Sequence, residues 1–363
     1  MTERIAVAGA GMAGLVAAAR LQELGRAPVV REKGTRTGGS MLLSSGVVWR
    51  HRDWHDLRRE CPAGDERLQR LVWERLDDAL AWLESRGAPV VWSETGNPRT
   101  VGRRFEPRGI VQALAAGLKV ELESRELAVD EPTILCTGGF AASSELVARF
   151  VEPAAPLRLR AGPWSEGDGL RHAVARGGAL TRGMDEFHGR NMPDASWDET
   201  QLVSLSQLYG RYARIFDLDG VEFFAAADVT WSETNIVQAT ARRPEAKAYY
   251  VLDDDALTAR VRERTVAELV AAAPAEAHVP LADLPFDPPA GTVAAVRVVA
   301  SITHTIGGLR VDERARVLRE DGSAVEGLWA AGVDAGGVST GGYASGLAQA
   351  LVLGLAAAED AAR

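Results

Sequence analysis

Ile5-Ala-Val-Ala-Gly9-Ala-Gly11-Met-Ala-Gly14 opens the chain, and Glu32 closes the next apolar run, Pro28–Arg31. Ile5–Ala8 predicts a strand, Met12–Leu24 a helix of small residues, and Pro28–Arg31 a second strand. Gly9 permits the tight turn. Gly11 lets backbone N–H groups approach a pyrophosphate, and Gly14 lets the helix pack on the strand. The helix N-terminus then faces the phosphates. An acid about 20 residues on is placed to hold ribose hydroxyls. The stretch therefore predicts a ligand with an adenosine diphosphate half. A glycine triplet alone is equally a βα turn with no ligand. The two flanking strands and Glu32 favour the ligand.

The chain has 363 residues, enough for two domains or for one domain with an insertion. A hydrophobic share of 46% with 25% charged residues is the composition of a soluble globular protein. The net charge of −9 gives no basic footprint for nucleic acid. The pairs Arg58-Arg59, Arg103-Arg104 and Arg242-Arg243 are scattered and read as solvated surface. Cys61 and Cys136 show no metal or CxxC spacing, which fits a reducing, cytoplasmic setting, and no metal is expected. The chain enters its first strand almost at once, without a signal-peptide pattern. No apolar run reaches the roughly 20 residues of a membrane span.

Leu68, Leu71, Val72, Leu76, Leu80 and Leu83 recur at helical spacing and predict a helix over 66–86, with Trp73 and Trp82 as core packing. A helix is expected over Arg108–Gly117, strands over Leu118–Leu122 and Thr133–Thr137, and a helix opened by Gly167-Asp-Gly169. From 188 to 303 the pattern changes. Aromatic residues cluster there (Tyr209, Tyr212, Phe216, Phe223, Phe224, Tyr249, Tyr250), a helix is expected near Asp255–Ala273, and Pro280–Pro289 is proline-rich. Glycine motifs return from Ile306, with a strand at Leu328–Ala331 and an alanine-rich helix at the end. One domain interrupted by another follows: 1–187 and 304–363 around 188–303. Gly336-Gly-Val-Ser-Thr-Gly-Gly342 lacks the GxGxxG spacing of a second dinucleotide site.

Six stretches together resemble the flavoproteins related to fumarate reductase, succinate dehydrogenase and 3-ketosteroid dehydrogenase. They are Gly9–Gly14 with Glu32; Thr37-Gly-Gly-Ser40 with Ser44-Ser45-Gly46; Cys136-Thr-Gly-Gly-Phe140; Gly167-Asp-Gly169; Thr303-His-Thr-Ile-Gly-Gly308; and Gly327–Asp334 with the glycine run to Gly346. The resemblance implies an α/β fold: a Rossmann-like FAD-binding domain carrying an inserted, reduced α+β capping domain. It implies FAD held by Gly9, Gly11, Met12, Ala13, Gly14, Glu32, Lys33, Gly38, Gly39, Ser40, Ser44, Ser45 and Gly46. Thr137, Gly138, Gly139, Asp168, Gly308, Gly332, Asp334, Gly346 and Leu347 complete that set. Asp334 falls where the family's acid binds a ribityl hydroxyl; its other reading is a helix cap. Gly39–Val48 holds no histidine for covalent attachment, so FAD is expected to be non-covalent. Ser345 opens the last helix, whose N-terminus would stabilise negative charge on the reduced flavin.

In this family the substrate lies between flavin and cap. His304 matches a histidine that contacts a substrate carboxylate, and His188 falls near another; each also reads as a hinge histidine bonded to backbone. Thr230 or Trp231 stands where the fumarate reductases carry their proton-delivering arginine, and Tyr343 where they carry a carboxylate-clamping one. A dicarboxylate needs bidentate cationic clamps, so fumarate and succinate are disfavoured. Gly342-Tyr-Ala-Ser-Gly346 resembles the tyrosine–glycine segment with which 3-ketosteroid dehydrogenases polarise a ketone. Tyr343 is otherwise an aromatic packed beneath the flavin. Tyr209, Tyr212, Tyr249 and Tyr250 are candidate acids or bases, or packing. Only a short connector, mostly Glu123–Glu131, replaces the family's β-meander. The expected function is FAD-dependent hydride transfer between flavin N5 and a carbon–carbon bond beside a carbonyl, through Tyr343, His304 and His188. The expected partner is a cyclic, apolar carbonyl compound, with the electron acceptor open. Oxidation of a C–N or C–O bond, or FAD binding without catalysis, are the alternatives.

Overall fold

The computed structural model describes residues 4–127 and 131–363; positions 128–130 of the short connector lie outside the described residues. The chain divides into two compact units. Unit one is Met1–Ser143, Gly162–Glu186 and His304–Arg363; unit two is Ser144–Ala161 and Phe187–Thr303.

Unit one is built on a six-stranded sheet. Its order is Arg316–Leu318, Ala324–Ala330, Thr133–Leu135, Ile5–Ala8, Pro28–Arg31, Val120–Glu121. All neighbours run parallel except the first pair. Every residue of Ile5–Ala8 is buried, as a parallel strand covered on both faces requires. Helix Met12–Glu23 packs on the C-terminal helix Gly346–Ala361. Small residues make that approach close: a Cβ on Gly354 would stand 2.8 Å from the Ala13 carbonyl oxygen. The last helix is buried almost all round from Ala348 to Ala358, a stretch without a charged residue whose one polar side chain, Gln349, donates to the Gly332 and Ala335 carbonyls. Helix Glu66–Ser85 starts on Asp65, whose carboxylate accepts from the Arg67 and Leu68 N–H groups, and it buries Leu68, Val72, Leu76, Leu80 and Leu83. Trp73 and Trp82 differ from the core packing expected of them. Both are partly exposed, and their indole N–H groups donate to the His51 carbonyl and the Glu23 carboxylate.

A second, three-stranded antiparallel sheet joins Val47–His51, Thr100–Phe105 and Val90–Trp92. The sequence does not announce it. Val90–Trp92 is exposed at every position, so it lacks the alternation that marks a half-buried strand. Thr100–Phe105 carries Gly102, where a Cβ would lie 2.1 Å from the Val48 carbonyl oxygen.

Unit two holds a sheet in the order Glu222–Phe224, Arg214–Phe216, Lys247–Asp253, Thr292–Thr305, Arg158–Leu159, with Phe187–Pro193 also paired to Thr292–Thr305. Ser144–Ala161 sits here, outside the boundaries expected from sequence, because Arg158–Leu159 pairs with Ser301–Ile302 and the Ala154 N–H donates to Ala241 O at 2.8 Å. The helix expected over Asp255–Ala273 is two helices, Asp254–Thr258 and Val266–Ala271, around the hairpin Arg260–Val261/Arg264–Thr265. Arg262 takes φ 57° at its turn, and a capping box between Thr265 and Glu268 restarts the helix.

Tyr209 and Tyr250 are core residues of unit two, packed edge to face at 5.5 Å. Burial pushes both phenols up, and their hydroxyls bond internally: Tyr209 donates to Gln207 and Tyr250 accepts from Asn191. Tyr249 packs on Phe286. Glu233 precedes helix Thr234–Ala241 at φ 56° and is buried. Burial pushes its carboxyl up to about 7, against the pull of Arg190 and Arg211.

Two outcomes follow. A Cβ at Gly9 would lie 2.3 Å from the Cys136 carbonyl oxygen, at φ +102°. Gly9→Ala should therefore cost about 2–4 kcal/mol, read as a lower unfolding midpoint in denaturant. The native state holds the Glu233 proton more tightly than the unfolded chain does. The stability from that proton is complete below the ordinary carboxylate range and is lost as pH rises through about 7. Glu233→Gln removes the loss, so variant minus parent stability should rise between about pH 5 and pH 8.

Candidate cofactor site and active site

The helix Met12–Glu23 begins at Gly11 with no side-chain cap and no acid in its first turn. Its leading N–H groups are left for an anion. Space beside Gly11 is open: a Cβ there would meet nothing within 4 Å. Glu32 is buried at the end of the second strand. Its Oε2 accepts from the Ala10 N–H at 2.7 Å and its Oε1 from the Gly34 N–H at 2.6 Å. The acid fastens the glycine turn to the chain beyond the strand. A carboxylate has about four acceptor positions, so two stay available for ribose hydroxyls.

The second glycine segment comes onto the first. Gly38 N–H donates to Ala10 O at 2.7 Å, and a Cβ on Gly39 would lie 3.2 Å from Gly11 Cα. Ser40 Oγ accepts from Gly162 N–H at 3.0 Å. Ser44 Oγ closes its own turn, donating to Met41 O and accepting from Gly46 N–H, and Ser45 O accepts from Arg104. Lys33 Nζ pairs with Glu166 and with Asp168, the latter at 2.6 Å. Two residues expected on the cofactor, Lys33 and Asp168, thus hold each other.

Asp334 gathers three of the glycine motifs. It is 1% exposed. Its Oδ1 accepts from Thr137 Oγ1 at 3.0 Å and from Gly139 N–H at 2.9 Å, and its Oδ2 accepts from Thr137 N–H. Thr137 Oγ1 also accepts from Gly169 N–H at 3.1 Å. The Asp334 carbonyl accepts from Leu309 N–H at 2.7 Å, beside Gly308. Burial pushes the Asp334 carboxyl up, and the donors from Gly139 and Thr137 pull the other way. Its first role is to tie these loops, with about one acceptor position to spare for a ribityl hydroxyl. Gly332 packs on the first helix, where a Cβ would stand 3.0 Å from Ala13 Cβ, and its carbonyl accepts from Gln349.

His304 and Tyr343 come together at the start of the last helix. A Cβ on Gly346 would stand 3.3 Å from His304 Cε1. The His304 and Tyr343 rings lie 6.0 Å apart, and Trp49 stands edge-on to Tyr343 at 5.9 Å. Both His304 and Tyr343 are partly exposed. Ser345 caps the helix, accepting from Ala348 N–H at 3.3 Å, with Leu347 partly exposed in its first turn. His188 belongs to unit two, where it is buried and its Nδ1 meets Thr234 Oγ1 at 3.2 Å. Thr230 Oγ1 bonds Ser232 and Asn235.

Sequence reasoning missed Trp49 and His51. No motif marks either; only the pairing of Val47–His51 with Thr100–Phe105 places them. Among the described residues, no group of histidine, cysteine or acids could hold a metal ion, and no helix is long and apolar enough to cross a membrane.

The uncapped helix start, the open face at Gly11 and the spare acceptor positions on Glu32 fit a bound FAD. The family model for the FAD binding domain matches residues 4–120 and 106–347. A probable fumarate reductase, Ifc3, of Shewanella frigidimarina is 23% identical over 417 residues, 91% of this chain and 69% of the relative. The 3-ketosteroid Δ4-(5α)-dehydrogenase of Rhodococcus jostii, solved with 4-androstene-3,17-dione, superposes with a TM-score of 0.73 at 19% identity, covering 99% of this chain and 97% of that one. The 3-ketosteroid Δ1-dehydrogenase of Sterolibacterium denitrificans, solved with 1,4-androstadiene-3,17-dione, superposes with a TM-score of 0.76 at 15% identity, covering 99% and 100%. The chain belongs to the FAD binding domain family and is an FAD-dependent oxidoreductase.

Proposed function

We propose that the chain transfers hydride to or from a carbon–carbon bond beside a carbonyl, in a cyclic and largely apolar ketone or enone. The observation that supports this reading is the grouping of Tyr343, His304 and the N-terminus of helix Gly346–Ala361. When bound, FAD supplies the two-electron partner for the hydride. Tyr343 donates its hydroxyl proton in a hydrogen bond to the substrate carbonyl oxygen. That bond stabilises the negative charge which develops on the oxygen and so makes the α C–H more acidic. The α-carbon gives its proton to water and the β-carbon gives hydride to the bound FAD, which leaves a double bond conjugated with the carbonyl. His304, beside Tyr343, holds the same oxygen in this reading. The helix start behind both adds positive potential.

Trp49 and His304 are ring neighbours of Tyr343. They suit an apolar ring better than a diacid, which needs guanidinium clamps. The two ketosteroid dehydrogenases of similar fold were solved with steroid diones, which agrees with this class. The role of His188 rests on the sequence resemblance. The FAD contacts expected along Gly9–Gly46, Thr137–Gly139, Asp334 and Gly346–Leu347 are proposed on the same footing, with the geometry of Gly11 and Glu32 in support.

Tyr343→Phe should bind FAD as the parent does. Its single-turnover bleaching by a saturated cyclic ketone should be slower by about 10²–10³-fold. Equal rates in parent and variant would remove Tyr343 from the chemistry.

A further inference from the structure

We infer that Glu186 is a positioning residue for Tyr343. The inference rests on the reading of Tyr343 as the group that meets the substrate carbonyl, and it names the side chain that fixes the loop carrying that group. Glu186 closes the middle segment of unit one, Gly162–Glu186. Its Oε2 accepts from the Gly341 N–H at 2.7 Å, two residues before Tyr343. A carboxylate that accepts from a backbone N–H makes a charge-assisted bond, roughly twice as strong as a neutral one. The partners stand 155 positions apart in the chain, so the bond is a long-range tie and not part of a local turn.

Both ends of the tie are held in place. The Glu186 main chain is fixed twice: its N–H donates to Gly183 O at 3.0 Å, and its carbonyl accepts from Ile306 N–H at 3.0 Å. Gly307 N–H donates to the same Gly183 carbonyl at 3.0 Å, and a Cβ on Gly307 would lie 2.6 Å from Met184 Cα. The turn that presents the carboxylate is thus sewn to the segment after His304. The receiving loop packs on that turn, since a Cβ on Gly183 would lie 2.8 Å from Cγ2 of the buried Thr340. Two glycines follow Thr340. A Cβ on Gly342 would sit 1.9 Å from the Glu60 carbonyl oxygen, and Gly341 takes φ +92°, in the left-handed region. Neither has a side chain that could pack and hold the loop, so the main chain has its greatest conformational freedom just before Tyr343. Its N–H groups are the handles that remain. Gly342 N–H donates to Ser339 O at 3.0 Å and Ala344 N–H to Ser339 Oγ at 3.2 Å, which closes the turn on itself. Gly341 N–H reaches outward to Glu186. Tyr343 lies inside the closed turn, so the direction set at Gly341 is passed to its ring. A misplacement of about 1 Å in a group that orients a substrate can cost about 10²-fold in rate.

The test uses the FAD-loaded protein, with Glu186→Ala and Glu186→Gln made alone and on the Tyr343→Phe background. The probe is a saturated cyclic ketone that bleaches the parent flavin. Glu186→Ala removes the acceptor; Glu186→Gln keeps an oxygen of the same reach. With Tyr343 present, Glu186→Ala should lower the limiting bleaching rate about ten-fold or more, with the half-saturating ketone concentration and the FAD affinity nearly unchanged. Glu186→Gln should restore most of the rate. On the Tyr343→Phe background, Glu186→Ala should change the rate by less than about two-fold. Hydrogen exchange at the Gly341 amide reads the tie without turnover. It should be faster in Glu186→Ala by about ten-fold and close to the parent in Glu186→Gln. Parental exchange in Glu186→Ala would overturn the tie itself. Faster exchange with equal slowing on both backgrounds, or with the parental rate, would overturn the positioning role. A Tyr343→Phe variant that bleaches at the parental rate would overturn the reading of Tyr343 and the role of Glu186 with it, whatever the exchange shows.

Discussion

The buried carboxylate of Asp334 is the tie on which unit one depends. One side chain takes donors from Thr137 and Gly139, and its own carbonyl takes the Leu309 N–H. Thr137 and Gly139 lie almost 200 positions from Asp334 in the chain, yet they meet it at the ends of adjacent parallel strands. Without such a partner, the N–H groups of Thr137 and Gly139 would be buried and unsatisfied, each at a cost of about 1–3 kcal/mol. Burial alone drives the carboxyl toward its neutral form, and the donors hold it against that drive. Glu32 works the same way at the other end, spending one oxygen on Ala10 and the other on Gly34. Two acids thus set the loops that meet a dinucleotide before any cofactor contact is made.

The glycine-rich turn could be read in sequence because its chemistry is local. Gly9, Gly11 and Gly14 lie within one turn, and Glu32 follows in the next strand. The heptad-like leucines of Glu66–Ser85 and the apolar last helix were legible for the same reason. Long-range pairing was not. Nothing in Thr137, Gly169 and Asp334 says that one hydroxyl and one carboxylate join them. The sheet formed by Val47–His51, Thr100–Phe105 and Val90–Trp92 lacks alternation, and its register comes from close approach at Gly102. The apolar period over 255–273 hides a break, since a two-residue turn at Arg262 interrupts it without proline or glycine. Lys33 and Asp168 lie 135 positions apart, and nothing in the sequence says that their opposite charges pair.

The candidate chemistry was legible in part. Tyr343 and His304 stood out through their motifs, and the fold places both at the start of the same helix. The tyrosines of 209 and 250 stood out as aromatics, and the fold buries them in the core of unit two. Charge and aromaticity mark a residue as chemically capable; only exposure and partners decide whether that capacity faces a substrate. Trp49 shows the converse: it carries no motif, yet the pairing of Val47–His51 with Thr100–Phe105 brings its ring edge-on to Tyr343.

The most direct measurement is anaerobic mixing of the FAD-loaded protein with a panel of saturated cyclic ketones, followed by flavin absorbance and mass analysis of the product. One or more ketones should bleach the flavin and emerge two hydrogens lighter, as the conjugated enone. Bleaching by amines, alcohols or hydroxy acids with every ketone inert, or a flavin that no member of the panel reduces, would contradict it.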